Sequence, residues 1–245
     1  MSEQLRRLAV EAARHGAAVC LRQWGEPVQA ETKSAAGDVV TIVDRAAEEA
    51  VRAVLLNARP DDGVLGEELA EHTGVGPVQW VVDPLDGTTN YTRRIAYFGT
   101  SVAARSMADG SWLAGAVCAP ALATTWSAAK NLGAQVDSGS SERRLPLAMV
   151  QSSARLVGTG LSYDPGLRRR QLGELGALMT DYTDMRRFGA AAVDLCLLAQ
   201  GSLDAFVEDD LAVHDWAAGA LIAEEAGVRV SRPQGHDSVL SARWS

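Results

Sequence analysis

The chain has 245 residues, 47% of them apolar and 22% charged. That is enough for one large domain or two small ones sharing a core, and too ordinary in composition for a disordered segment. Lys and Arg number 23 against 31 Asp and Glu, a net charge of −8, which speaks against sequence-independent nucleic-acid binding and against an anionic membrane surface.

In chain order, Leu5, Leu8, Ala9, Ala12 and Ala13 recur at helical spacing and predict an amphipathic helix from residue 2 to about 22. A Gly-Glu-Pro break follows at 25–27. Ala47, Val51, Val54, Leu55 and Ala58 predict a second helix starting near Asp44 and stopped by Pro60-Asp61-Asp62-Gly63. Val64-Leu65 and Trp80-Val81-Val82 read as short buried strands that end in acidic residues. Between Tyr97 and Ala129, GTSVAAR, LAGAVCA and ATTWSAA read as antiparallel strands, and Asp137–Ser141 reads as a loop. The second half alternates: strands near 156–159, 185–188, 203–208 and 228–230, and helices near 167–180, 190–200 and 215–226. Such alternation predicts mixed α/β layering, with any boundary between halves near 140–152.

Cys20, Cys118 and Cys196 are scattered without metal or CxxC spacing, so buried free thiols in a reducing compartment are expected. The opening MSEQLRRLAVEAARHG is too charged for a signal peptide, and no apolar run approaches the ~20 residues of a membrane span. A cytoplasmic protein is the expectation.

The stretch VLGEELAEHTGVGPVQWVVDPLDGTTNY at 64–91 carries the chemistry. Glu67 and Glu68 follow one strand, Asp83 and Asp86 another. Ligands of open α/β sheets sit at the carboxyl ends of strands. If the two strands are neighbours, several carboxylates converge, and they must either stay apart in water or be held by hard divalent cations. An oxygen-only set points to Mg²⁺, with Mn²⁺ as a substitute, over zinc. Pro84 biases Asp83 towards an extended conformation at the strand end. Gly87 permits close backbone approach, and Thr88-Thr89 would open a helical turn offering N–H groups and hydroxyls to an anion. A cation cluster beside an anion nest describes a phosphate-ester site. Taken singly, Asp-Gly-Thr also reads as a surface turn and Glu67-Glu68 as a solvated pair; together, each at the end of an apolar strand, they favour the site. Further on, Asp215 sits where a helix N-cap belongs, and Glu208 ends a strand-like run.

G-E-E at 66–68, W-V-V-D-P-L-D-G-T-T-N-Y at 80–91 and D-W-A-A-G at 215–219 resemble the inositol monophosphatase family of Mg²⁺-dependent, lithium-sensitive phosphatases. T-I-V-D at 41–44, K-N-L-G-A at 130–134, R-R-F-G-A-A-A-V-D-L at 186–195 and L-D-A-F-V-E at 203–208 support it, in order, over roughly 5–240. The resemblance implies an α+β fold, a layered αβαβα sandwich like inositol monophosphatase and fructose bisphosphatase. It implies a single domain over 1–245, with halves of about 1–145 and 150–245, and a homodimer.

The activity implied is hydrolysis of inositol 1-phosphate or a related polyol or sugar phosphate by metal-activated water, with two or three Mg²⁺. By position, Glu67, Asp83, Thr88 and the Leu85 carbonyl would bind a first metal, Asp83, Asp86 and Asp215 a second, and Glu67 would help a weaker third. Asp44 and Thr88, with Glu67, would handle the attacking water. The N–H groups of Gly87 and Thr88 would hold the phosphate, and Asp86, Ala191 (backbone), Glu208 and Asp215 would face the alcohol. Histidinol phosphate or another biosynthetic intermediate as substrate, or a non-catalytic regulatory protein keeping the fold, are the alternatives.

Several positions depart from the family pattern. His214 stands where Trp is usual and reads as packing against the site more than as a ligand. Ala190 replaces a Ser or Thr, removing a cap worth ~1 kcal/mol. Arg93 and Arg94 read as solvated, or as reaching a second anionic group on a substrate. The sequence closes on Ser-Ala-Arg-Trp-Ser where relatives continue into another helix, which leaves assembly open.

Overall fold

The computed structural model describes residues 1–26, 30–32, 39–139, 141–147, 153–233 and 239–244. Helix α1 (Ser2–Gln23) buries Leu5, Ala9, Ala12 and Ala13 of the expected stripe and adds Ala17, while Leu8 is only partly buried; the alanines let the helix lie close to its neighbours. An antiparallel strand pair that the residue spacing does not predict, β1 (Ala30–Thr32) with β2 (Val39–Thr41), precedes α2 (Ile42–Ala58). This helix starts two residues before Asp44 because Thr41 is its cap. The Thr41 hydroxyl accepts from Val43 N at 3.1 Å, and Asp44 reaches back to Thr41 N at 2.9 Å, a reciprocal pairing that satisfies two free N–H groups.

Seven strands form the first sheet in sequence order: β3 (Gly63–Gly66), β4 (Val78–Asp86), β5 (Gly99–Ser106), β6 (Trp112–Ala119), β7 (Thr124–Ala129), β8 (Gly133–Asp137) and β9 (Glu142–Arg144). Every neighbouring pair is antiparallel except β3–β4, which is parallel. Asp137 ends β8 and Glu142 opens β9, so the expected loop lies between two strands. Side chains alternate across the sheet, as strand geometry requires. Val78, Trp80, Val82, Val102 and Ala116 face α1 and α2, whereas Val81, Ala103, Val117 and Trp126 face the interior of the molecule. Each fully buried large side chain contributes about 1.5–3 kcal/mol. A short helix, α3 (Thr88–Thr92), follows β4.

The second sheet holds β10 (Leu156–Thr159), β11 (Asp184–Arg186), β12 (Ala205–Glu208), β13 (Arg229–Ser231) and β14 (Leu240–Arg243), in the order β11-β10-β12-β14-β13. β10 runs parallel to β11 and β12, while β14 is antiparallel to both its neighbours. Helices α4 (Pro165–Leu178), α5 (Ala191–Gln200) and α6 (Val213–Glu225) alternate with these strands. Leu195, Leu198 and Ile222 of α5 and α6 pack between Val117 and Trp126 of the first sheet and Phe206 and Leu240 of the second. Leu178 of α4 shares a cavity with Ala205 and Val207 on the opposite face of the second sheet. The order is α–β–α–β–α, an α+β sandwich.

Of the expected boundary near 140–152, residues 140 and 148–152 lie outside the described residues. Among the described residues no helix is long and apolar enough to cross a membrane.

Candidate active site

The parallel β3–β4 pair sets the carboxyl ends of two strands side by side, with Glu67 N donating to Val82 O at 3.2 Å. β4 does not end at Asp83 as expected. It continues through Pro84 to Asp86, and its ladder with β5 shifts register between Asp83 and Asp86. Pro84 has no N–H to give the ladder, and a bulge of this kind re-aims side chains. Asp83 and Asp86, three residues apart, both line one cleft of about 560 Å³. Past them Gly87 takes a left-handed backbone (φ 89°), where an added Cβ would stand 3.1 Å from Tyr97 O and 3.2 Å from Ala190 Cβ.

The same cleft is lined by Glu67, Leu85, Gly87, Thr88, Ala191, Glu208 and Asp215. Asp44 does not line it. It is 1% exposed and stands behind Thr88, whose hydroxyl lies 3.0 Å from Asp44 Oδ1 and 2.9 Å from Leu85 O. The structure therefore brings together every residue singled out for metal, water, phosphate or alcohol. His214 also lines the cleft, 3.5 Å from Asp215 Oδ1 and 3.9 Å from Glu67 Oε2. Arg93 and Arg94 are exposed and lie outside it.

Asp215 is not an N-cap. α6 starts at Val213, so Asp215 is its third residue, and Oδ2 reaches back to accept from Ala212 N at 2.6 Å. Ala190 is the N-cap of α5 and offers no side-chain acceptor. Asp86 performs that task from the other sheet: its Oδ2 accepts from Ala192 N at 2.8 Å and Val193 N at 3.3 Å.

Burial pushes the Asp83 carboxyl well above the usual carboxylate range, and repulsion from Glu67, Asp86 and Asp215 adds to it. Burial and then Asp215 raise Asp86 in the same way, against the pull of the two α5 N–H groups. Asp44 is raised by burial, and Glu208 is pushed up to about 8 by burial and by Asp194. Among the described residues neither Asp83 nor Asp86 pairs with an arginine or lysine. Nor do any three His, Cys, Asp or Glu side chains among them stand close enough to cage an ion as placed.

Three supporting residues escaped the sequence reading. Glu48, 0% exposed, sits under Gly66, where a Cβ would lie 1.9 Å from its Oε1. Its Oε2 accepts from Glu68 N at 2.8 Å, turning the Gly-Glu-Glu backbone so that Glu67 faces the cleft. Asp194 in α5 accepts from Tyr97 OH at 2.5 Å, tying the loop after α3 to the helix that Asp86 caps. Arg187 lines the cleft. The spacing of Glu48 and Arg52 was a visible signal, but an ordinary helical ion pair has the same one.

A sequence profile described as the inositol monophosphatase family matches residues 1–244. The chain belongs to the inositol monophosphatase family. An inositol-1-monophosphatase of Mycobacterium leprae is 40% identical over 221 residues, covering 86% of this chain and 74% of its own. The Nus factor SuhB of Salmonella typhimurium is 34% identical, covering 91% and 83%. Among solved structures, the extragenic suppressor protein suhB of Bartonella henselae superposes with a TM-score of 0.88 at 33% identity, covering 99% of this chain and 94% of its own. Membership makes the chain a phosphoric monoester hydrolase of the inositol monophosphatase type, with the layered fold the resemblance implies.

Proposed function

We propose that the chain is a Mg²⁺-dependent phosphomonoesterase acting on inositol 1-phosphate or a related polyol or sugar phosphate. The observation that carries this reading is the Thr88–Asp44 contact beside buried carboxylates for which no described arginine or lysine provides a partner. The donor set is all oxygen and suits a hard cation. Glu67, Asp83, the Leu85 carbonyl and Thr88 are assigned to a first Mg²⁺, Asp83, Asp86 and Asp215 to a second, and Glu67 to a weaker third, with Mn²⁺ as substitute. When bound, the ions neutralise charge on the phosphoryl and leaving oxygens and make water acidic enough to attack near neutral pH.

The protein's own groups orient and deprotonate. The Thr88 hydroxyl has one proton. Donating it to Asp44 Oδ1 leaves its oxygen free to accept from the attacking water, so that Asp44 receives the proton through Thr88. Burial makes Asp44 a stronger base than an exposed carboxylate, and such transfer is worth 10²–10⁴-fold. Glu67, at the adjacent strand end, faces the same water. The N–H groups of Gly87 and Thr88 hold the phosphate. Asp86, the Ala191 backbone, Glu208 and Asp215 face the alcohol.

The test is phosphate release from inositol 1-phosphate, histidinol phosphate, fructose 1,6-bisphosphate and adenosine 3′,5′-bisphosphate, each with Mg²⁺, with chelator and with lithium. Release from inositol 1-phosphate that needs Mg²⁺ and falls with lithium is the expected result. Preference for another member moves the substrate; no metal-dependent release overturns the reading. The similarity to proteins named Nus factor SuhB favours a non-catalytic role as second reading. A cytoplasmic homodimer completes the proposal, checked by fractionation and light scattering.

A further inference from the structure

Arg187 lies between β11 and α5, and its side chain lines the cleft. A Cβ on Gly189 would stand 2.4 Å from its Nη1, and a Cβ on Gly87 would stand 3.3 Å from Gly189 O. The guanidinium is therefore one residue's thickness from the backbone proposed to hold phosphate. Its charge also acts on Asp194 and Glu208, which puts it on the alcohol side of the cleft. Nη2 reaches Leu161 O at 3.5 Å, and no carboxylate among the described residues lies within ion-pairing distance. The carboxylates on the same rim are engaged: Asp209 with Arg170 at 2.6 Å, Asp210 with the Ser162 hydroxyl at 2.7 Å, and Asp164 with Leu167 N at 2.7 Å. Among the described residues that line the cleft, Arg187 is thus the one arginine or lysine, and its planar fork of donors matches a carboxylate or phosphate.

We propose that Arg187 binds a second anionic group on the substrate, so that the cleft favours phosphomonoesters carrying a carboxylate or further phosphate on the same small carbon skeleton. This rests on the phosphatase reading and narrows its substrate class. It also moves the second-anion role from Arg93 and Arg94, which lie outside the cleft.

Two matched pairs test it. Glycerol 3-phosphate and 3-phosphoglycerate differ by one carboxylate, and inositol 1-phosphate and inositol 1,4-bisphosphate differ by one phosphate; which pair responds tells carboxylate from phosphate. The wild-type enzyme is expected to prefer the doubly anionic member of at least one pair. Arg187→Met should cut that preference about tenfold to a hundredfold, through KM more than kcat, the range expected of a hydrogen-bonded charge pair. Arg187→Lys should restore part of it, and Arg94→Met should leave it intact. No wild-type preference, or equal losses on both members, overturns the assignment. Calorimetric binding of the members of both pairs separates the layers. If no ester is hydrolysed, the phosphatase reading fails, yet Arg187-dependent discrimination in binding still supports the subsite and its absence still sinks it.

Discussion

Glu48 and Asp62 are as deeply buried as Asp83 and Asp86, at 0% and 1% against 2% and 7% exposure, and the fold treats the two pairs in opposite ways. Glu48 is met by Arg52 and by Glu68 N, and Asp62 by Arg59 and the Trp80 indole N–H. Asp83 and Asp86 are met by backbone N–H groups and by one another's charge. A buried carboxylate needs a partner or a proton. The first pair draws its neutralising charge from the chain, so it serves structure. The second has no described chain cation, so it is open to one from outside.

The sharpest way to break this comparison is Asp83→Asn. Turnover should vanish while circular dichroism stays native, and the melting temperature without metal should rise, since a repelled charge is gone. An active, normally metal-dependent variant would falsify the assignment. Thr88→Val should lower kcat by 10²–10⁴-fold with the fold intact, and Thr88→Ser should recover part of it; equal kcat in the valine variant removes the proton route through Asp44. Glu48→Ala should do the reverse of Asp83→Asn, destabilising by about 3 kcal/mol in urea unfolding because Arg52 and Glu68 N lose their partner.

The pH response sharpens the same contrast. The folded chain keeps a proton on Glu208 up to about 8, whereas the unfolded chain releases it near 4.5. Folded protein binds more protons across that window, so the share of metal-free stability that Glu208 contributes is full below about 4.5 and is lost as pH rises to 8. Millimolar Mg²⁺ should flatten the upper part of the melting curve against pH, and an unchanged slope would count against a cation in the cleft. The smallest effect is expected from Ala190→Ser. A new cap is ordinarily worth ~1 kcal/mol, but Asp86 already accepts from the first N–H groups of α5, so the gain should fall below that.

Much of this was written in the sequence. Hydrophobic spacing gave α1, and the apolar runs before acidic pairs gave β3 and β4, because burial of one face leaves a periodic trace. What stayed hidden has physical reasons. β9 is Glu142-Arg143-Arg144, three exposed charged residues that pair only because β8 offers an edge. β14 is last in sequence yet sits between β12 and β13, an order that no local pattern encodes. Asp44 and Asp215 were placed at helix starts and are third residues instead, since a carboxylate reaching back to a free N–H serves as well as one capping from in front. The cap that Asp86 gives α5 spans 106 positions, beyond any spacing rule. The site motif was legible because its members are contiguous; Arg187 was not, because only the fold decides which of two adjacent arginines faces the cleft.

The lone parallel joint in the seven-stranded sheet has a consequence for engineering. The return segment 67–77 carries no helix; it runs back along the sheet edge, where His72 exchanges backbone hydrogen bonds with Val64 at 2.8 and 2.9 Å. That strap is what lets β4 leave in the same direction as β3. Shortened to a tight hairpin, it would reverse β4 and send Glu67 and Asp83 to opposite ends of the strand pair, even where every ladder hydrogen bond was replaced. Circular permutants and loop deletions should therefore spare its length before its composition.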